Sequence, residues 1–340
     1  MKNILVTGGA GFIGSHTVVE LTTAGYRAVL VDNFSNSDRK VIKSLKSLTS
    51  QVISCWEGDY QDKSFLKKVL AEERIDGVIH FAAYKAVGES VDFPLKYYQN
   101  NVAGLVNLLE FLEDHKISNF VFSSSCTVYG ESKKLPLSED MPTKTAESPY
   151  GATKQMSETI IKDTAAASRN FKAISLRYFN PIGAHPTGLI GELPLGRPTI
   201  LVPNITQAVA GWRDKLTVHG NDYPNPDGTC IRDYIHVVDL ARAHVAALKL
   251  LAKKDAGYYY IFNIGTGKGS SVMQVIKTFE KVTGQKVPFK IGPRREGDII
   301  TSYASADKAK KLLGWQAELS LEDALADAWR WQQTLSKRKQ

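Results

Sequence analysis

Tyr150 and Lys154 stand four positions apart in Tyr150-Gly151-Ala152-Thr153-Lys154, at the head of a segment whose spacing predicts a helix to about Ala167. On a helix that separation places both side chains on one face. A phenol ordinarily titrates near 10, so using it as a base at neutral pH requires roughly 4 kcal/mol of preferential stabilisation of the phenolate. An ammonium one turn away, joined by the positive charge of an oxidised nicotinamide, can supply it. Upstream, Ser123-Ser124-Ser125 follows the apolar run Phe120 to Phe122, at the carboxyl end of a buried strand where ligands of open α/β sheets bind. A hydroxyl there can share the proton that Tyr150 takes. The Tyr-x-x-x-Lys spacing alone describes many surface pairs; the serine-capped strand and the glycine turn below give it catalytic meaning.

The cofactor signal opens the chain. Asn3 to Thr7 is an apolar strand-like run, Gly8, Gly9, Gly11 and Gly14 fit both GxGxxG and GxxGxxG, and Ser15 to Ala24 has helical spacing through Val18, Val19 and Leu21. In such a turn glycines permit a tight bend, close backbone approach to a pyrophosphate, and close helix packing, while the helix N-terminus offers N–H groups. Asp32 closes the next apolar run, Ala28 to Val31, roughly 20 residues on, where a carboxylate accepts the adenosine ribose hydroxyls. It would repel a 2'-phosphate, so NAD is expected rather than NADP. Asp59, in Glu57-Gly58-Asp59-Tyr60, is placed to meet adenine.

The elements that must position these groups follow from alternation. Val52-Ile53, Val78 to Phe81 and Phe120 to Phe122 read as further strands with helical stretches between them. The pattern predicts an α/β fold: a Rossmann-type doubly wound parallel sheet with helices on both faces. From Pro181 onward Pro, Gly and Asn crowd the chain, so residues 1–180 are expected to bind NAD and 181–340 mainly to form a smaller mixed α/β substrate-binding domain. Ile231 to Val238 and Tyr259 to Ile264 read as strands returning to the first sheet, so the segments near 231–265 are expected to rejoin the NAD-binding domain.

Composition narrows the function. The 340 residues are 43% hydrophobic and 23% charged, as in folded enzymes rather than disordered chains. Lysines and arginines are dispersed despite the net charge of +8, which suits an anionic small molecule; no nucleic acid is expected. Cys55, Cys126 and Cys230 lack CxxC spacing and the seven histidines lack HExxH, so no metal is expected. The start, Lys2-Asn3-Ile4-Leu5-Val6, is too short an apolar run for a signal or a membrane span, so no membrane and a cytoplasmic location are expected.

These residues resemble the extended short-chain dehydrogenase/reductase family, and within it the UDP-hexose 4-epimerase branch. The resemblance rests on Val6-Thr7-Gly8-Gly9-Ala10-Gly11-Phe12-Ile13-Gly14-Ser15-His16, Lys85-Ala86-Val87-Gly88-Glu89-Ser90-Val91 and Leu176-Arg177-Tyr178-Phe179-Asn180-Pro181. Gly220-Asn221-Asp222-Tyr223-Pro224, Arg232-Asp233-Tyr234-Ile235-His236-Val237 and Arg294-Arg295-Glu296-Gly297-Asp298 extend it. It implies that Phe12, Ile13, Asp32, Asn33, Asp59, Tyr60, Phe81, Lys85 and Asn100 line NAD. Ser125, Tyr150, Lys154 and Phe179 would surround nicotinamide and sugar. Lys85, Ser125, Thr127, Tyr150, Asn180, Leu201, His219, Arg232, Arg295, Asp298 and Ser302 would contact a UDP-sugar, the two guanidinium forks suiting a diphosphate. The implied reaction is reversible interconversion of UDP-galactose and UDP-glucose through a 4-keto sugar, by an isomerase that is a homodimer built on the helices around 102–112 and 150–167.

Three positions depart from the branch. Ile200, in Pro198-Thr199-Ile200-Leu201, replaces an asparagine and cannot make its hydrogen bond; His219 replaces a phenylalanine near uracil. Ser302 stands where a bulky tyrosine would restrict the sugar pocket, so UDP-N-acetylglucosamine and UDP-N-acetylgalactosamine are expected to fit as well, unless neighbouring Tyr303 swings in. Two rival activities share much of the pattern. A nucleotide-sugar 4,6-dehydratase would need an acidic pair after Thr127, where Val128-Tyr129 stands instead. A non-catalytic NAD-binding sensor would not need Ser125, Tyr150 and Lys154 intact.

Overall fold

The computed structural model describes every residue except Met1, Lys133, Leu195, Arg197, Glu296, Gly297 and Gln340, so the Glu296-Gly297 part of the Arg294 to Asp298 motif lies outside the described residues. In chain order β1 (Asn3–Thr7), α1 (Phe12–Thr23), β2 (Arg27–Asp32), α2 (Lys40–Thr49), β3 (Ser54–Glu57), α3 (Lys63–Glu72) and β4 (Gly77–His80) alternate. Two short helices, α4 (Val87–Asp92) and α5 (Pro94–Tyr98), and a π turn at Gln99–Ala103 lead into α6 (Gly104–Asp114), β5 (Asn119–Ser125), α7 (Pro149–Ala167) and β6 (Lys172–Tyr178). Then come β7 (Asn180–Ile182), α8 (Leu201–Val209), β8 (Leu216–His219), β9 (Ile231–Arg232), β10 (Tyr234–His236), α9 (Val237–Leu251) and β11 (Tyr259–Ile264). The chain closes with β12 (Ser270–Ser271), α10 (Val272–Thr283), β13 (Phe289–Gly292), β14 (Thr301–Ser302) and α11 (Leu321–Lys339).

The main sheet has seven strands in the order β11-β6-β5-β4-β1-β2-β3, and every pair is parallel. Its strands are apolar on both faces because both are covered. Ile4 and Val6 of β1 join a core with Val18 and Leu21 of α1 and Leu240 and Leu248 of α9. Leu5 points the other way, into a core with Leu66 of α3, Leu105 and Leu109 of α6 and Ile161 of α7. Because all seven strands run the same way, Thr7, Asp32, His80, Ser125 and Tyr178 end on one edge, which the site occupies.

Three sequence expectations shift. The third strand begins at Ser54, not at Val52-Ile53: β3 is the edge strand, paired through Ser54, Cys55, Trp56 and Glu57, while Val52 is 83% exposed before it. Helix α1 begins at Phe12, since Gly11 caps it and Ser15 N already bonds back to Gly11 O at 2.9 Å. Ile231 to Val238 does not rejoin the main sheet. There β10 pairs with β7, and β9 pairs with β12 and β14. Asp233, buried between β9 and β10, ties this segment to the loops after β11 and β14: its carboxylate accepts the backbone N–H of Thr266, Gly267 and Ala304 and the Thr266 hydroxyl. The return to the first unit is made by α9 packed on α1 and by β11, which pairs with β6 as its spacing implied.

Candidate active site

Gly8 adopts φ +70° and its N–H donates to Val31 O at 2.8 Å; a Cβ there would lie 2.8 Å from Ala82 N. A Cβ on Gly14 would meet Gly8 O at 2.3 Å, so this glycine lets the helix close on the turn. At Gly11 the corresponding neighbour is Gly8 O at 3.2 Å with no further atom within 4 Å, leaving a bare, open cradle at the N-terminus of α1. The residues present therefore fit a dinucleotide pyrophosphate.

Asp32 ties the turn to β2. Its Oδ2 accepts Ala10 N at 2.9 Å, and its Oδ1 accepts Phe34 N at 2.9 Å and Ser37 Oγ at 3.0 Å. These bonds fix the carboxylate at the strand end while leaving lone-pair capacity for a ribose hydroxyl. Asn33 is exposed beside it, its Oδ1 accepting Ser35 N. Asp59 Oδ1 accepts Gln61 N; the Tyr60 hydroxyl donates to Asn100 O at 2.6 Å, and Gln61 Nε2 donates to Asn100 Oδ1. That knot joins the Asp59-Tyr60 and Asn100 positions, 40 residues apart, into one wall. Phe12 and Ile13 lie half-buried in the first turn of α1, and the Phe81 ring, 4.6 Å from that of His244, follows β4.

Helix α7 begins at Pro149 because Ser148 caps it, Oγ accepting Gly151 N at 3.2 Å. That start places Tyr150 and Lys154 in its first turns, both buried. Lys154 Nζ donates to Ser123 O at 2.7 Å and lies 5.9 Å from the Tyr150 ring centroid. Ser125 Oγ accepts two hydrogen bonds from Thr127, one from its N–H at 3.2 Å and one from its hydroxyl at 3.0 Å. A hydroxyl has two acceptor positions and one proton. The Ser125 proton is thereby left for a third partner, and the Ser125 hydroxyl acts on the Tyr150 phenol in the direction that favours phenolate.

The electrostatics bear on the expectation that an ammonium joined by an oxidised nicotinamide activates the phenol. Burial pushes the Tyr150 phenol well above its ordinary range, with Tyr178 adding to it and the Ser125 hydrogen bond pulling the other way. Burial also pushes the Lys154 ammonium down to about 8, against the opposing charge of Glu158. In the chain by itself desolvation dominates, so the phenolate requires positive charge from beyond these side chains.

The second half of the site comes from the small sheets. Arg232 Nη2 lies 3.6 Å from Asp298 Oδ1 and Arg295 Nε 3.2 Å from Asp298 Oδ2, so two guanidinium groups converge on one carboxylate. Ser302 sits beside Arg232 in register, buried. The Tyr303 side chain lies against the Gly269 position, 3.4 Å from where a Cβ would stand. Phe179 is buried with Val128, Tyr129 and Ala304; Asn180 follows at the start of β7. His219 ends β8 with Nδ1 3.2 Å from Pro293 O, Leu201 opens α8, and Ile200 is 39% exposed. Lys85 is paired with Glu192 at 3.1 Å, whose carboxylate raises its pKa, and its side chain is more than half exposed.

Sequence reading missed three buried polar groups. Glu158 and Arg177 form an ion pair under the catalytic helix, the Thr7 hydroxyl meets His80 Nδ1 at 2.7 Å, and Ser123 Oγ donates to the Tyr178 hydroxyl at 2.9 Å. The available signal was a charge inside an apolar strand, Arg177, and an acid four residues beyond Lys154.

With a bare glycine cradle and a buried tyrosine-lysine-serine set sharing one sheet edge, the fold defines a dinucleotide-dependent enzyme. The chain belongs to the NAD dependent epimerase/dehydratase family, whose profile matches residues 4–265. It is 50% identical over 330 residues to the UDP-glucose 4-epimerase of Bacillus subtilis (strain 168), covering 97% of this chain and 96% of that one. The crystal structure of UDP-glucose-4-epimerase from Stenotrophomonas maltophila with bound NAD and formylated UDP-arabinopyranose superposes with a TM-score of 0.96 at 44% identity, covering 99% and 100% of the two chains. That of the Bifidobacterium longum enzyme in complex with NAD+ and UDP gives 0.93 at 45% identity, covering 98% of each.

Proposed function

We propose that this chain reversibly interconverts UDP-galactose and UDP-glucose at C4, with NAD as its resident cofactor. The observation that carries the reading is the buried set at one sheet edge: Ser125, with both acceptor positions filled by Thr127, together with buried Tyr150 and Lys154. Tyr150 takes the proton of the sugar 4-hydroxyl, Ser125 shares it, and Lys154 holds positive charge next to the phenol. Bound NAD supplies the redox capacity and further positive charge. Arg232 and Arg295 hold the diphosphate, with Asp298 orienting both forks. Asn180, Leu201 and His219 stand along the UDP side, and Phe179 packs beneath the sugar. Binding energy concentrated on UDP leaves the sugar free to present either face. The reading divides the chain near residue 180, with α9 and β11 returning to the NAD-binding unit.

Dehydration is disfavoured by the positions after Thr127. Val128 and Tyr129 are buried, and the Tyr129 hydroxyl donates to Asn263 Oδ1 at 2.6 Å, so no acid-base pair stands there. The reading also extends to the 2-acetamido sugars, supported by small, buried Ser302 and by Tyr303 packed against the Gly269 position. A homodimer through α6 and α7 is supported by the groove beside them, where Val106, Leu109 and Ile160 lie among charged Lys63, Glu110 and Glu113, and by the exposed Leu95 and Met156. No described helix is long and apolar enough to cross a membrane, and a cytoplasmic location fits that.

The deciding experiment incubates purified protein with UDP-galactose and follows UDP-glucose without added NAD. Formation of UDP-glucose is expected. No product even with NAD supplied would sink the reading, and a 4-keto-6-deoxy product would replace it with dehydration.

A further inference from the structure

Three consecutive residues of β5 are each tied to a different part of the catalytic apparatus. The Ser123 carbonyl accepts Lys154 Nζ, Ser124 Oγ donates to Glu158 Oε1 at 2.6 Å, and Ser125 faces Tyr150. Glu158 stands one helical turn beyond Lys154 on α7, on the same side of the helix, and is buried. Arg177 grips its carboxylate with a two-pronged contact, Nε to Oε1 at 2.9 Å and Nη2 to Oε2 at 2.6 Å. Arg177 lies on β6 directly across from Ser124 in register. Glu158 therefore joins the catalytic helix to two strands at the level of Ser125.

Stability does not account for such a pair. Taking both charges out of water is costly, and apolar side chains of similar volume would seat a helix on a sheet as well or better. Arg177 even keeps Nη1 buried with no partner, its guanidinium 4.8 Å from the Tyr129 ring centroid. The location next to Lys154 offers a different reason.

The groups around Lys154 identify which charge acts on it. Its own helix presents Tyr150 and Glu158. From β4 comes His80, whose imidazole burial and the Lys154 charge push down to about 3, so it is neutral. Strand β5 contributes the Ser123 carbonyl and the Phe122 ring, 4.6 Å from Nζ, and β6 contributes Arg177 and Tyr178. Burial works against the ammonium, and the charge that opposes burial is that of Glu158.

We propose that Glu158, locked by Ser124 and Arg177, is a positioning residue that keeps Lys154 in its ammonium form beside Tyr150 and fixes the seat of α7 on β5. The inference rests on the reading above that Tyr150 and Lys154 carry the reaction. Its test is the pH profile of kcat for UDP-galactose conversion, measured on the holoenzyme. Conversion by the wild-type protein comes first, so failure of the reaction itself is distinguished from failure of this inference. Glu158→Gln keeps the shape and the Ser124 contact but removes the charge. Its basic limb is expected to move down by about one pH unit, with KM for the UDP-sugar unchanged. Should unpaired Arg177 prevent that variant from folding, Glu158→Gln with Arg177→Met removes both buried charges, and its basic limb is expected to move in the same direction by a smaller amount, because the Arg177 cation that had offset Glu158 is gone as well. A folded variant of either kind whose basic limb stays at the wild-type pH, whatever its overall rate, overturns the proposal: a residue that only holds the helix in place would scale the profile without moving it.

Discussion

Thr127 occupies both acceptor positions of Ser125, through its N–H at 3.2 Å and its hydroxyl at 3.0 Å. A side chain read from sequence as a substrate contact thus also fills both acceptor positions of Ser125 and leaves its proton for another partner. Thr127→Val removes one of the two bonds and frees the serine to rotate. The expected result is a loss of about tenfold in kcat, worth about 1.4 kcal/mol of transition-state stabilisation, with a smaller change in KM. Steady-state kinetics on UDP-galactose would check it, and an unchanged kcat would show that Ser125 needs no such orientation.

Lys154 couples activity to stability. Its ammonium is pushed from 10.5 down to about 8 by burial, so between those values the unfolded chain binds more protons than the folded one. Stability contributed by this group therefore rises with pH across that window, and at neutral pH its burial is a cost. Lys154→Met removes that cost and strands the Ser123 carbonyl. The balance should stabilise the cofactor-free protein at pH 7 by about 1–3 kcal/mol while activity disappears. Denaturant unfolding of both proteins measures this; a less stable variant would mean that the carbonyl contact outweighs the desolvation.

The glycine turn separates folding from cofactor binding. Gly14→Ala would force a methyl within 2.3 Å of Gly8 O, and a loss of about 1–3 kcal/mol in stability is expected. Gly11→Ala meets a single atom at 3.2 Å, so its fold should survive while NAD retention falls, because the new methyl occupies the open cradle. Thermal melts alongside the NAD content of the purified variants would tell the two apart. Equal losses of stability would contradict the assignment of Gly11 to the phosphate.

Ser302→Tyr tests the breadth of the sugar pocket. With Tyr303 already committed to the Gly269 side, the new ring must enter the space beside Arg232. Turnover of UDP-N-acetylglucosamine should fall by at least about tenfold relative to UDP-galactose, since a 2-acetamido group needs the volume the ring takes. Ratios of kcat/KM for the two substrates provide the measure, and an unchanged ratio would place the acetamido group elsewhere.

What the linear chain determined on its own was local: the glycine turn with Asp32 at the right remove, the tyrosine and lysine one helical turn apart, and strands apolar on both faces. Each depends on spacing within one element or one strand-helix unit, where backbone geometry converts separation directly into direction. Tertiary structure decided what pairs across distance. It sent β10 to β7 instead of the main sheet and tied Asp233 beside it to backbone amides of two later loops, contacts between segments far apart in the chain. It carried Lys85 to Glu192, 107 residues away, and brought Arg177 of β6 onto Glu158 of α7. It also set the protonation balance of Tyr150 and Lys154, because desolvation depends on everything packed around a group and leaves no mark in residue spacing.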